Sequence, residues 1–94
     1  MDIFESDDLM SGETRRKGIT ITKNSGTLDI TSATYVIYDE KYTIVTSQTD
    51  ATISGPDVFA YVEAGSDLGG RSMVIEFHDG EAICKAKLNY AITR

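Results

Sequence analysis

Residues 71–92 read Arg71-Ser72-Met73-Val74-Ile75-Glu76-Phe77-His78, Asp79-Gly80, then Glu81-Ala82-Ile83-Cys84-Lys85-Ala86-Lys87-Leu88-Asn89-Tyr90-Ala91-Ile92. An Asp-Gly step between two alternating segments is a strong hairpin signal, because a type I′ turn needs positive φ at both central positions. With Asp79-Gly80 as the turn, His78 stands opposite Glu81, Phe77 opposite Ala82, Ile75 opposite Cys84 and Met73 opposite Ala86. Apart from His78 and Glu81, which flank the turn, the six residues so paired are apolar or small and share the inner face, and Leu88, Tyr90 and Ile92 continue that face along the last strand. Ser72, Val74 and Glu76, with Ile83, Lys85 and Lys87, make a mixed outer face. A slip of one residue would exchange the two faces, so the pattern specifies the pairing.

Working outward, the same preference recurs. The chain holds 10 Ile, 5 Val and 11 Thr against 4 Leu, and β-branched side chains fit a pleated surface better than a helix. Ile19 and Ile21 alternate with Thr20 and Thr22, the period of a half-buried strand. Thr34-Tyr35-Val36-Ile37-Tyr38 reads as a central strand. Turn signals at Asn24-Ser25-Gly26, Asp39-Glu40-Lys41, Gly55-Pro56-Asp57 and Gly65 to Gly70 divide the rest into short strands. They fall near 15–22, 28–30, 33–38, 42–47, 50–54, 58–63, 71–78 and 81–93, with 28–30 open to merging with a neighbour. Strands at this spacing without an amphipathic helix predict an all-β, antiparallel sandwich of about seven strands.

At 94 residues the chain fits one domain. The division expected is a flexible acidic arm over residues 1–12 and the sandwich over residues 13–94. Asp2, Glu5, Asp7, Asp8 and Glu13 crowd the first thirteen residues with no Lys or Arg, which accounts for most of the net charge of −6. Arg15, Arg16 and Lys17 are the single basic cluster. Such a balance repels phosphate and argues against nucleic acid as a partner. No apolar run reaches the ~20 residues that cross a bilayer, and Met1 to Glu5 lack the basic and apolar regions of a secretory signal. Cys84 stands alone, so folding requires no oxidising compartment. Neither a membrane partner nor a cofactor is expected.

Reactive groups are sparse. His78, the sole histidine, flanks a convex hairpin tip, where a general base has no pocket to serve. Cys84 has the inward phase of its strand and reads as a small hydrophobe. One His and one Cys on different faces do not make a zinc site, and Glu5-Ser6-Asp7-Asp8 lacks the glycine and spacing of a calcium loop. Gly65-Ser66-Asp67-Leu68-Gly69-Gly70 lacks the Lys-Ser/Thr ending and the helix of a phosphate loop. No catalytic residue is assigned and the chain is read as a non-enzyme.

Surface contact is the remaining mode of action. If Val58, Ala60 and Val62 face inward, Phe59 and Tyr61 form an outer aromatic patch; the opposite phase is equally compatible with the sequence. Ile3, Phe4, Leu9 and Met10 would be apolar anchors of an arm that orders only on docking. The rival reading is a ligand- or glycan-binding module using Tyr42, Tyr61 and the 65–70 loop, although the planar polar groups Asn24, Gln48 and Asn89 are scattered.

Three segments together resemble the immunoglobulin-like domain of tailed-phage virion proteins, and above all the N-terminal domain of baseplate upper proteins. They are Gly12-Glu13-Thr14 leading to Ile19-Thr20-Ile21, then Leu28 through Tyr38, then Gly70, Met73 to Phe77, Asp79-Gly80 and Ala82 to Ile92. Ser32 stands where that family usually has glycine. The resemblance implies an immunoglobulin-like fold and a virion structural role in tail, neck or baseplate. It also implies partners among other virion proteins, a homo-oligomer in the assembled particle, and the host cytoplasm as the place of assembly. It carries over no catalytic residues.

Overall fold

The computed structural model describes residues 8–22 and 26–94 in full, together with the backbone of residues 2–4. The fold is all-β and sandwich-like, with two sheets, one of them strongly curled. Its strands are β1 (Asp2–Phe4), β2 (Leu9–Met10), β3 (Thr14–Thr20), β4 (Ile30–Asp39), β5 (Ile44–Asp50), β6 (Thr52–Ser54), β7 (Asp57–Glu63), β8 (Gly69–Asp79) and β9 (Ala82–Thr93). One sheet has the order β1-β3-β7-β6 and the other β2-β9-β8-β4-β5. Nine strands are present among the described residues rather than about seven, because the segment read as an arm contributes β1 and β2.

The β8–β9 hairpin forms with a different turn. Asp79 pairs with Ala82, His78 with Ile83, Phe77 with Cys84, Ile75 with Ala86 and Met73 with Leu88. The central residues are therefore Gly80 and Glu81, and of these Gly80 alone has positive φ, at 61°. That matches a type II′ turn, which needs glycine at its first central position only; the expected type I′ turn would also have forced Asp79 into the left-handed region. Asp79 serves elsewhere: its Oδ1 accepts the Asp29 N–H at 2.9 Å, and the Gly80 N–H donates to the Asp29 carbonyl at 3.0 Å. Every expected partner moves by two residues, an even shift, so each side chain keeps its face.

The core follows from that parity. Met73, Ile75 and Phe77 of β8 meet Val58, Ala60 and Val62 of β7 and Ile19 of β3, with Leu88, Tyr90 and Ile92 alongside. Cys84 packs half-buried at the margin. Of the expected 28–30 strand only Ile30 is extended, and it joins the 33–38 segment in one strand, β4, with an irregularity between Ile30 and Ser32 against β8; Leu28 and Asp29 precede it outside any strand. β5 pairs with β4 through two further register shifts. At Ala51, whose N–H donates to the Ala33 carbonyl, the chain leaves the five-stranded sheet and enters the other as β6. Only Thr52–Ser54 remain before the Gly55-Pro56 turn, so β6 covers Asp57 to Phe59 and stops.

Candidate interaction site

The first expected anchors are part of the fold rather than a free arm. Ile3 and Phe4 stand in β1, opposite Ile19 and Gly18 of β3. Leu9 pairs in parallel with Ile92 and is 0% exposed, so it fills this chain's own core and cannot be offered to a partner. The segment is tied down by Ser11 N–H to the Thr93 carbonyl at 2.7 Å and by Ala91 N–H to Asp8 Oδ1 at 2.9 Å. The physical reason is an unpaired β9 edge: two residues of extended chain satisfy its backbone and bury one leucine. Met10 is exposed. Glu5, Ser6, Asp7 and Asn24 lie outside the described residues.

Val58, Ala60 and Val62 do face inward, which places Phe59 and Tyr61 on the outer face. The two rings meet edge to face, with centroids 6.2 Å apart at 86°. The Arg16 guanidinium lies 5.0 Å over Phe59, a cation–π arrangement that half-covers this ring. Tyr61 is 68% exposed. Gly18 lies directly across from Phe59 in β3 and leaves no room for a side chain there. The patch is thus a pinned phenylalanine with an exposed tyrosine at its end.

Tyr42 belongs to another feature. It closes the β4–β5 turn with φ of 61°, the sole positive φ of a non-glycine residue among those described. Asp39 shapes that turn by accepting the Thr43 and Lys41 N–H groups on Oδ1, and these bonds, led by Thr43, hold its carboxyl below the usual range. The Lys87 ammonium sits 5.3 Å over the Tyr42 ring and Tyr38 tilts against it at 6.5 Å. A sugar stacking on this ring would compete with Lys87.

Between the sheets, beyond the end of β6, lies a cleft of about 380 Å³. Tyr35 and Ile37 of β4, Val45 of β5 and Val62 of β7 form its walls, and the 64–67 loop closes one end. Arg71 also lines it, and borders two smaller cavities beside it. Arg71 as a whole is 9% exposed. It donates to the main-chain carbonyls of Gly70 at 2.9 Å and Asp67 at 3.0 Å, its charge acts on the Asp39 carboxyl, and Glu40 lines the same two smaller cavities. Tyr90, its partner across β9, has its hydroxyl pushed up to about 12 by burial, against the opposing pull of Arg71, so it stays neutral at physiological pH. Lys17 is the other inward cation, 0% exposed, with its ammonium 5.2 Å over the Tyr90 ring.

Arg71 and Lys17 carry no functional reading in the sequence, yet parity marks both. Arg71 shares the phase of Met73, Ile75 and Phe77, and Lys17 that of Ile19 and Ile21. The three basic residues at 15–17 do not act as one cluster, since neighbours along a strand point to opposite faces. His78 and Cys84 are not brought together: Cys84 is cross-strand from Phe77, and His78 from Ile83. No group of three or more metal-ligating side chains occurs among the described residues, and they contain no helix long and apolar enough to cross a membrane. No family model, curated protein or solved structure matches the chain.

Proposed function

We propose that this chain is a non-enzymatic structural domain that works by protein–protein contact, of the immunoglobulin-like kind built into tailed-phage tails, necks or baseplates. The observation that carries the contact reading is β5. It is the last strand of its sheet, with no described strand on its outer side, and Ile44 and Val45 on it are 57% and 52% exposed. An open edge with exposed apolar side chains is a template for pairing with another chain, which soluble proteins ordinarily blunt with charge or proline. Rings in virions repeat one such contact around an axis. The segment resemblances to the virion family supply the particle, and the edge supplies the means.

The glycan-binding alternative has less behind it. Gln48 borders a different surface cavity, the Asn89 Oδ1 already accepts the Ser72 hydroxyl at 2.9 Å, and one side of Tyr42 is occupied by Lys87. The test uses the double variant Ile44→Lys, Val45→Lys, whose sites are exposed and whose fold should be unchanged. Wild type is expected to self-associate with rising concentration in sedimentation velocity, and the variant to remain monomeric. Wild-type protein that stays monomeric at millimolar concentration, and that binds assembled tails no better than the variant, would refute the reading.

A further inference from the structure

The five-stranded sheet has a second edge, along β9. Ala91 N–H donates to Asp8 Oδ1 and Ser11 N–H to the Thr93 carbonyl, so odd-numbered positions of β9 turn their backbone groups away from β8. β2 occupies that side only at Ile92 and Thr93. Ile83, Lys85, Lys87 and Asn89 therefore present N–H and C=O groups to an edge on which no described strand lies. β9 pairs with β8 without a register shift, so this edge is regular. On the far side of the sheet, Ala51 N–H donates to the Ala33 carbonyl, so Asp50, one position earlier, turns its backbone groups outward from β5. Register ties the two edges together. Asp50 stands opposite Thr34, Thr34 opposite Glu76, and Glu76 opposite Lys85. One cross-strand row on the outer face thus starts with a carboxylate at one edge and ends with an ammonium at the other. Asp50 and Lys85 are both exposed, and Lys85 has Glu76 at 3.9 Å.

We infer that the β9 edge of one copy docks against the β5 edge of the next, continuing the five-stranded sheet from subunit to subunit. The inference rests on the self-association through β5 proposed above and names the surface that β5 meets. β4 is antiparallel to β5 and β8, and β8 to β9, so β5 and β9 run in opposite directions. A copy displaced across the sheet sets its β5 antiparallel to β9. Asp50 then stands opposite Lys85, and the outward N–H and C=O groups of the two residues can bond reciprocally. Charge selects this partner. β9 holds Lys85 and Lys87 and no carboxylate, whereas β5 holds Asp50 and no cation. Two β9 edges joined at this stretch bring the lysines of both copies together, and two β5 edges each carry register shifts into the contact. With Glu76 already on its near side, Lys85 comes to lie between two carboxylates. The patches differ on the two copies, so the contact is heterologous; sheet twist turns each displacement into a rotation, which gives a ring where it closes and a filament where it does not.

The test is charge exchange, read by sedimentation velocity on the full chain. Asp50→Lys and Lys85→Asp should each weaken self-association roughly ten-fold, since each puts like charges opposite one another at the contact. Both sites are exposed, so circular dichroism of the two variants should match wild type. An equimolar mixture of the variants should recover wild-type association: an Asp50→Lys copy then alternates with a Lys85→Asp copy, and every contact again joins opposite charges. The double variant Asp50→Lys, Lys85→Asp should associate like wild type for the same reason. Undiminished association of Lys85→Asp, or a mixture that associates no better than its components, would overturn the inference. If Ile44→Lys, Val45→Lys is nevertheless monomeric, the β5 reading stands and β5 meets some other surface. Wild-type protein that stays monomeric would remove the β5 reading itself, and this inference with it.

Discussion

Placing alanine at Gly18 tests the closeness of β3 and β7. A Cβ built there would lie 2.3 Å from the Val58 carbonyl oxygen, 2.5 Å from the Phe59 Cβ and 2.7 Å from the Phe59 Cα. Reaching an ordinary contact of 3.4 Å from 2.3 Å requires the strands to separate by about 1.1 Å at that point. The even positions Val58 and Ala60 carry the ladder bonds flanking the site, so separation stretches those bonds as well. Overpacking costs about 1–3 kcal/mol and a weakened ladder bond about 0.5–1.5 kcal/mol; together about 2–4 kcal/mol is expected. For a domain this small that corresponds to a fall in Tm on the order of 10–25 °C. Circular dichroism melts of Gly18→Ala against wild type read it directly. The nearest obstacle is a main-chain oxygen, so Phe59→Ala in the alanine background should restore nothing. A Gly18→Ala protein melting within about 2 °C of wild type, or one rescued by trimming Phe59, would show that the strands are not held as close as argued.

Three further outcomes are expected. Leu9→Ala should cost about 2–5 kcal/mol in urea unfolding, as a truncated core leucine does; an unchanged midpoint would mean that the acidic segment is a free arm after all. Tyr42→Asn should raise stability by about 0.5 kcal/mol, relief of a left-handed tyrosine outweighing the loss of an exposed cation–π contact, and a lower Tm would show that Lys87 matters more than the backbone. Tyr90 has a raised folded pKa of about 12 against 10.0 unfolded, so above pH 10 the unfolded chain releases a proton that the folded chain keeps. Stability from this group is complete below pH 10 and declines as pH rises toward 12; Tyr90→Phe should flatten that alkaline limb, and an unchanged limb would contradict a buried, neutral phenol.

Alternation was the legible part of this fold. It placed Ile75, Phe77, Leu88 and Ile92 inside, and it survived an error in the turn because the true turn lies an even number of residues away. The turn itself was missed because Asp-Gly satisfies both a type I′ turn over Asp79-Gly80 and a type II′ turn over Gly80-Glu81. The decision rests on what the Asp79 carboxylate can reach, and Asp29 is distant in sequence. Leu9 was missed for a similar reason: a two-residue strand has no period, and its charged neighbours dominate composition. Gly18 gave no local sign, since neither a turn nor a positive φ requires it; the cause is a partner strand forty residues away. Lys17 and Arg71 were readable by phase, but a charged residue is ordinarily assigned to solvent before its phase is considered.

The position of the cleft follows from the length of β6. The register shifts in β5 and the crossing at Ala51 use up chain before the Gly55-Pro56 turn, so only three residues are left to pair with β7. Beyond Phe59 one sheet lacks the strand that would close it over β5. An interior closed only in part can hold polar atoms, because residual solvation lowers their cost. The interior is divided accordingly: Ile19, Val58, Ile75 and Phe77 lie toward the covered end, whereas Tyr90 and Arg71 lie toward the open end, and the Lys17 ammonium reaches over the Tyr90 ring. Lengthening β6 by inserting alternating residues before Gly55 would cover Tyr61 and Glu63 and close the cleft there.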